Sequence, residues 1–251
     1  MLAFVMVFTG MGIGSWGVDT AWADDWDGTT ISPPSQSEDG TYQISNAAEL
    51  AWFAGLVNGT LTDGTTQNLA ANAVLTENID LNNKNWTPIG KDKNSIFSGV
   101  FDGKGHTISN LKISNGAVGA GFFGYSSGTI KDFQIKQAEV TGTKTCAILL
   151  ASNEKNGQIL QCSVVDSTLN VNTMGGAISG TNAGSTSIKN CFARGNTINA
   201  NFAEKDGKYA LNGNIGGLVG NARSVTLNNS YVAETTITNS GEGKKMGSTE
   251  W

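Results

Sequence analysis

Short runs in which apolar and polar residues alternate dominate the chain beyond about residue 100. Five of them align: Ile108-Ser-Asn-Leu-Lys-Ile113, Ile130-Lys-Asp-Phe-Gln-Ile135, Ile159-Leu-Gln-Cys-Ser-Val164, Ile188-Lys-Asn-Cys-Phe-Ala193 and Leu227-Asn-Asn-Ser-Tyr-Val232. Their first residues are spaced by 22, 29, 29 and 39 positions. A second apolar series follows at the same later spacing: Val140, Leu169, Ile198 and Ile237. Ahead of the later runs stand small-residue elements: Gly121-Phe-Phe-Gly124, Ala147-Ile-Leu-Leu-Ala151, Gly176-Ala-Ile-Ser-Gly180 and Gly216-Gly-Leu-Val-Gly220. Period-2 alternation over four to six residues is the mark of a short strand with one buried face. Three such strands per repeat, with a period near 29, predict an all-β chain wound as a solenoid of three-faced coils, a parallel β-helix. Successive coils would pair as parallel neighbours about 4.8 Å apart.

That winding turns sequence repeats into side-chain ladders. Ile108, Ile130, Ile159, Ile188 and Leu227 are expected to form one inward ladder, and the Val140 series another. Leu111, Phe133, Cys162, Cys191 and Ser230 form a third, with Asn110, Asp132, Gln161, Asn190 and Asn229 beside it. Asn suits that last column because it tolerates left-handed backbone and bonds local peptide groups, as a coil corner demands. Alternation places Phe192 and Tyr231 opposite the cysteine column, hence outward, as an aromatic patch on adjacent coils. The polar stretch from about Ala203 to Asn214 lengthens one repeat and is expected to form a surface loop.

One segment departs from this pattern. Asn46 and Glu49 have capping-box spacing, Leu50, Phe53, Leu56 and Val57 recur at helical period, and Asn58-Gly59 supplies a stop. This helix reads as a cap over the open end of the solenoid, which would otherwise expose strand edges and apolar side chains. The runs around Val74–Leu81, Trp86–Gly90 and Phe97–Ile108 read as first, less regular coils. At the N-terminus, the apolar run Met1–Ile13 and the small-x-small Ala21-Trp22-Ala23 are expected to be a signal peptide, although no Lys or Arg precedes the run. The expected organisation is a signal peptide over 1–23, an extension with the capping helix over 24–60, and the β-helix over 61–240. A polar tail over 241–251 ends the chain and is expected to lead into further domains.

The stretch from Tyr42 to Val57, with Ile79-Asp-Leu81, Trp86-Thr-Pro-Ile-Gly90 and Phe101-Asp-Gly-Lys-Gly-His-Thr-Ile108, resembles the N-terminal part of bacterial cell-surface proteins carrying GLUG motifs. Gly216-Gly-Leu-Val-Gly220 resembles the core of that motif, Gly176–Gly180 and Gly121–Gly124 are looser copies, and Ala147–Ala151 replaces both glycines. The resemblance covers roughly residues 40–240. It implies a right-handed parallel β-helix in exported, adhesin-like proteins of many domains, and no shared catalytic residues.

Composition narrows the function. Charged residues make up 15% of the chain, against roughly 25% in ordinary domains. A net charge of −5 argues against a nucleic-acid partner, which needs a basic footprint. No stretch after the signal peptide approaches the roughly 20 apolar residues of a membrane span. The three cysteines include no CxxC pair, and His106 is the single histidine, so neither a metal site nor any cofactor is expected. Cys162 and Cys191 would stack within disulfide reach, but parallel side chains point the same way, and the pair reads as two small buried hydrophobes.

The expected role is an exported surface module, adhesin-like or a structural stalk, that does no catalysis. Host or environmental glycans, or surface proteins, are its expected partners. Phe192 and Tyr231 are the candidate ligand contacts, with Trp26, Trp52 and Trp86 as weaker platforms. The alternative is a polysaccharide lyase or glycoside hydrolase on the same fold. It draws on Asp132, Glu139, Asp166 and Lys136, but no column stacks two carboxylates in neighbouring coils, as glycoside hydrolysis would favour. His106 lies in a tight turn, and Asn78, Asp80 and Asp102 form a loose turn cluster without EF-hand spacing.

Overall fold

A computed structural model describes residues 25–200, 204–205, 208–209 and 213–239. The expected signal peptide and polar tail lie outside the described residues. Among the described residues the strands assemble into sheets of 12, 7 and 4 strands, with a separate two-stranded hairpin. Parallel pairing links coil to coil. Ile130 aligns with Ile159, Ile159 with Ile188, and Ile188 with Leu227. Val140 aligns with Leu169, Leu169 with Ile198, and Ile198 with Ile237. The third sheet stacks Phe123, Leu150, Ser179 and Val219. The chain is thus a parallel β-helix of three-faced coils.

Two of the corners are set by one residue in left-handed backbone. The first corner column is Asp132, Gln161, Asn190 and Asn229, with φ from 47° to 59°. A second column, Asn110, Gln137, Asp166, Gly195 and Glu234, behaves alike, with φ from 49° to 66°. Most of these are non-glycine residues, so the coil-to-coil pairing on either side must hold them there.

The expected ladder is wrong in its first member. Ile108 aligns with Ile135, not Ile130, and Phe101 takes the position above Ile130. In later coils a single corner residue separates the strand halves, whereas here the turn Gly103–His106 does so, and its extra residues shift everything after it. Asn110 accordingly donates its N–H to the Lys136 carbonyl, and the Leu111 carbonyl accepts from Glu139. Both belong one corner later than the repeat alignment placed them, beside Gln137 and Ala138. The remaining ladder members, Ile130, Ile159, Ile188, Leu227, Cys162 and Cys191, stack in the expected register.

Helix α1 (Ala47–Asn58) forms where its signals place it. The Asn46 side chain accepts from the Glu49 N–H at 3.0 Å, and the Glu49 carboxylate accepts from the Ser45 N–H at 2.7 Å. Gly59, at φ 63°, closes the helix. Leu50, Phe53, Leu56 and Val57 are all buried. Phe53 meets Phe97 and Phe101 with ring centroids 6.2 Å apart. The helix therefore seals an aromatic core built from Phe97, Phe101, Phe122, Phe123 and Phe133, which gives way to Ile, Val, Leu and Cys in later coils.

The cysteines Cys146, Cys162 and Cys191 are free and buried. The long repeat carries an antiparallel hairpin, Glu204–Lys205 with Lys208–Tyr209. In the last described coil Leu227 is 45% and Val232 39% exposed, whereas their equivalents Ile188 and Ala193 are fully buried. Among the described residues no helix is long and apolar enough to cross a membrane.

Candidate functional site

The outer surface of the 12-stranded sheet carries the aromatic pair. Strand Phe192–Arg194 pairs in parallel with Gln158–Val165 on one side and Tyr231–Ala233 on the other. Its middle residue Ala193 is buried, so Phe192 and Arg194 face outward. The register sets Gln134, Ser163, Phe192 and Tyr231 in one outward column. Lys136, Val165, Arg194 and Ala233 form the next. Across the first corner lie Lys131, Leu160, Lys189 and Asn228.

Phe192 and Tyr231 stack with centroids 5.4 Å apart and planes 8° from parallel. The coil spacing dictates this, since rings on one column repeat at nearly the strand separation. Each ring thus spends one face on its neighbour. Tyr231 is 56% exposed. Beside them Asn229 donates its side-chain amide to Asn190 at 3.2 Å. Gln134 likewise donates to the Ser163 hydroxyl at 3.1 Å.

Charge on this surface is unevenly satisfied. Asp102 takes Lys131 at 2.9 Å and Lys104 at 3.1 Å. Burial alone would raise this carboxyl, but bonds from Lys131 and Lys104 outweigh it and hold it below its ordinary value of 3.8. Lys136, Lys189 and Arg194 make no ion pair among the described residues.

The other candidates are dispersed. Trp26, Trp52 and Trp86 are all buried, at 7%, 6% and 1% exposure. Trp26 meets Trp86 edge-on at 6.1 Å and donates to the Thr30 carbonyl, so neither ring offers a platform. Both border a cleft of about 330 Å³ beside α1. Asp132 and Asp166 stand at different corners, and Glu139 lies 3.9 Å from Lys112. The backbone N–H of His106 closes the Gly103 turn at 2.8 Å. Asn78 accepts from the Thr107 N–H, and Asp80 from the Asn110 amide and Asn82 N–H. With Asp102 in ion pairs, this turn cluster is already filled by the chain's own donors. Among the described residues no group of three or more His, Cys, Asp and Glu side chains could hold a metal ion.

Comparison with known proteins fits the fold. A solved structure at 1.30 Å resolution, described as that of a "putative immunoglobulin A1 protease from Bacteroides ovatus", matches with a TM-score of 0.59 and 19% identity. The match covers 83% of this chain and 70% of that one. At that identity the likeness concerns architecture alone. Halomucin from Haloquadratum walsbyi is 32% identical over 120 residues, 45% of this chain. The chain spans about 1% of halomucin's length. No family model matches the chain.

Two features escaped the repeat alignment. One is a polar ladder on the 7-stranded sheet: Asn170 bonds Thr141 at 3.1 Å and Asn199 bonds Asn170 at 2.8 Å. Thr238 in turn donates to Asn199. The signal was present, since polar residues recur in register one position after the Val140 series. The other is the set of unpaired cations around Phe192, which depends on side-chain placement.

Proposed function

We propose that the chain is a non-catalytic module of an exported surface protein, a rigid β-helical stalk with an adhesin-like lateral face. The observation that carries this reading is how the polar side chains on the outer columns are used. They bond to their equivalents one coil away, as in Thr141–Asn170–Asn199–Thr238 and Asn190–Asn229. Such ladders stiffen a solenoid along its axis and spend polar groups on the scaffold. The Phe192–Tyr231 pair stands apart as a non-polar feature amid them, and the exposed Tyr231 ring suits the C–H face of a sugar ring. Export is supported by the N-terminal apolar run and its small-x-small site. The likeness to a short part of halomucin supports membership of a much longer chain.

The test is incubation of the purified chain with mucin and plant glycans, reading retained protein together with new reducing or unsaturated ends. Retention without product is the expected result. Release of product would overturn it in favour of a polysaccharide-degrading enzyme. Retention unchanged in the Phe192→Ala, Tyr231→Ala double variant would move the binding face elsewhere.

A further inference from the structure

We propose that the face around Phe192 and Tyr231 takes a sugar bearing a negative group, a sulfate or a uronate, with Arg194 and Lys189 as its charge contacts. This rests on the binding-face reading above and adds the ligand's chemical class.

Arg194 lies two positions after Phe192 on the same strand and the same side, about 6.6 Å along the chain. Lys189 is the exposed last residue of strand Thr186–Lys189, just before the Asn190 corner that leads into the Phe192 strand. The two cations therefore flank Phe192 on its own coil. Neither side chain has an ion pair or hydrogen bond among the described residues. Two coils earlier the column of Lys189 carries Lys131, whose charge is already committed to Asp102. That of Arg194 carries Lys136, also without an ion pair.

The acids nearby define the limits of the patch. Asp166 and Glu234 occupy the corner column just past Arg194, and Asp132 the first corner, two coils from Asn190. With a net charge of −5, the chain as a whole repels a polyanion at long range. Attraction is confined to the few ångströms around Phe192, within one Debye length of about 8 Å at physiological salt. A guanidinium fork matches a pair of oxygens on a carboxylate or sulfate. The sugar ring can meanwhile rest against the exposed Tyr231 side chain. The geometry therefore fits a charged group carried on a sugar ring.

Matched polymers test this with the full chain: dextran sulfate against dextran, and polygalacturonate against its methyl ester. The expected result is retention on a charged member and not on its neutral partner, with the two pairs separating sulfate from uronate. Arg194→Ala with Lys189→Ala should weaken retention about tenfold or more. Raising salt from about 50 mM to about 500 mM should do the same. Both residues are exposed, so an unchanged urea midpoint would confirm that the variant folds. Equal retention on charged and neutral polymers would overturn the charge assignment while leaving the aromatic face standing. Unchanged binding by Phe192→Ala with Tyr231→Ala would overturn the face itself. Retention on none of the four polymers would also overturn the charge assignment.

Discussion

The side-chain amide of Asn196 donates to the Val164 carbonyl at 3.0 Å, while its oxygen accepts from the Ser167 N–H, also at 3.0 Å. Asn196 is 1% exposed, so both buried partners lose their bonds if it is truncated. Asn196→Ala is expected to cost about 3 kcal/mol, the sum for two orphaned backbone groups. One coil earlier Ser167 does the same work, accepting from the Ala138 N–H at 2.9 Å and donating to the Val165 carbonyl at 2.7 Å. Asn196→Ser should therefore recover roughly half of the loss, read as the urea midpoint of the two variants.

Phe101 stands at the centre of the aromatic core. Its ring lies 5.3 Å from Phe123, 5.5 Å from Phe133, 5.9 Å from Phe122 and 6.2 Å from Phe53. Phe101→Ala should cost about 3–5 kcal/mol, as for large-to-small changes in a packed core. Tyr231→Ala should cost below about 1 kcal/mol, because an exposed stacked ring loses only the pair term. Urea denaturation followed by far-UV circular dichroism distinguishes them, and similar costs would refute the view that the α1 end anchors the solenoid.

Gly180 shows what the small-residue elements are for. A Cβ there would lie 2.6 Å from the Cys146 carbonyl oxygen and 2.7 Å from that of Ala151. Gly180 in turn supports Gly220, whose own Cβ would meet the Gly180 oxygen at 2.6 Å. The glycines thus allow neighbouring coils to approach through bare backbone. Gly180→Ala is expected to cost about 1–3 kcal/mol through forced backbone shifts, measurable as a lowered thermal midpoint. No loss would mean that the coil accommodates a methyl group there, as it already does at Ala151.

Much of this was legible in the sequence. The alternation in Ile130–Ile135, Ile159–Val164 and Ile188–Ala193 conveys both the strands and their register, because a one-residue slip would turn every apolar side chain outward. The Asn46 and Glu49 pair conveys the helix start for equally local reasons. The first coil misled because Ile108 and Ile130 begin similar hexads, and only the pairing shows that the Gly103–His106 turn displaces one from the other. At the candidate face, the outward side of Phe192 and Tyr231 follows from alternation. The angle of their rings and the unpaired state of Arg194 depend on rotamers that no spacing records.

The buried cysteines predict how stability responds to alkali. Burial pushes the Cys146 thiol from its ordinary value of 9.0 up to about 12, and Cys191 up to about 11. Cys162 is also raised well above its ordinary value, by burial first and by the neighbouring Cys191 next. A raised pKa favours the neutral thiol in the folded chain. The corresponding stability is complete below about pH 9, where both states are protonated. As pH climbs past that point the unfolded chain releases protons that the folded chain retains, and stability falls by up to about 1.4 kcal/mol per pH unit per thiol. The decline continues until the folded thiols themselves ionise. The urea midpoint should therefore be flat from pH 7 to pH 8.5 and drop steeply by pH 10.5. Cys146→Ala should lower the midpoint at neutral pH only modestly, since the side chain is small, and should flatten the alkaline slope by about one thiol's share. An unchanged slope in that variant would show that other groups, Tyr125 among them, govern the alkaline limit.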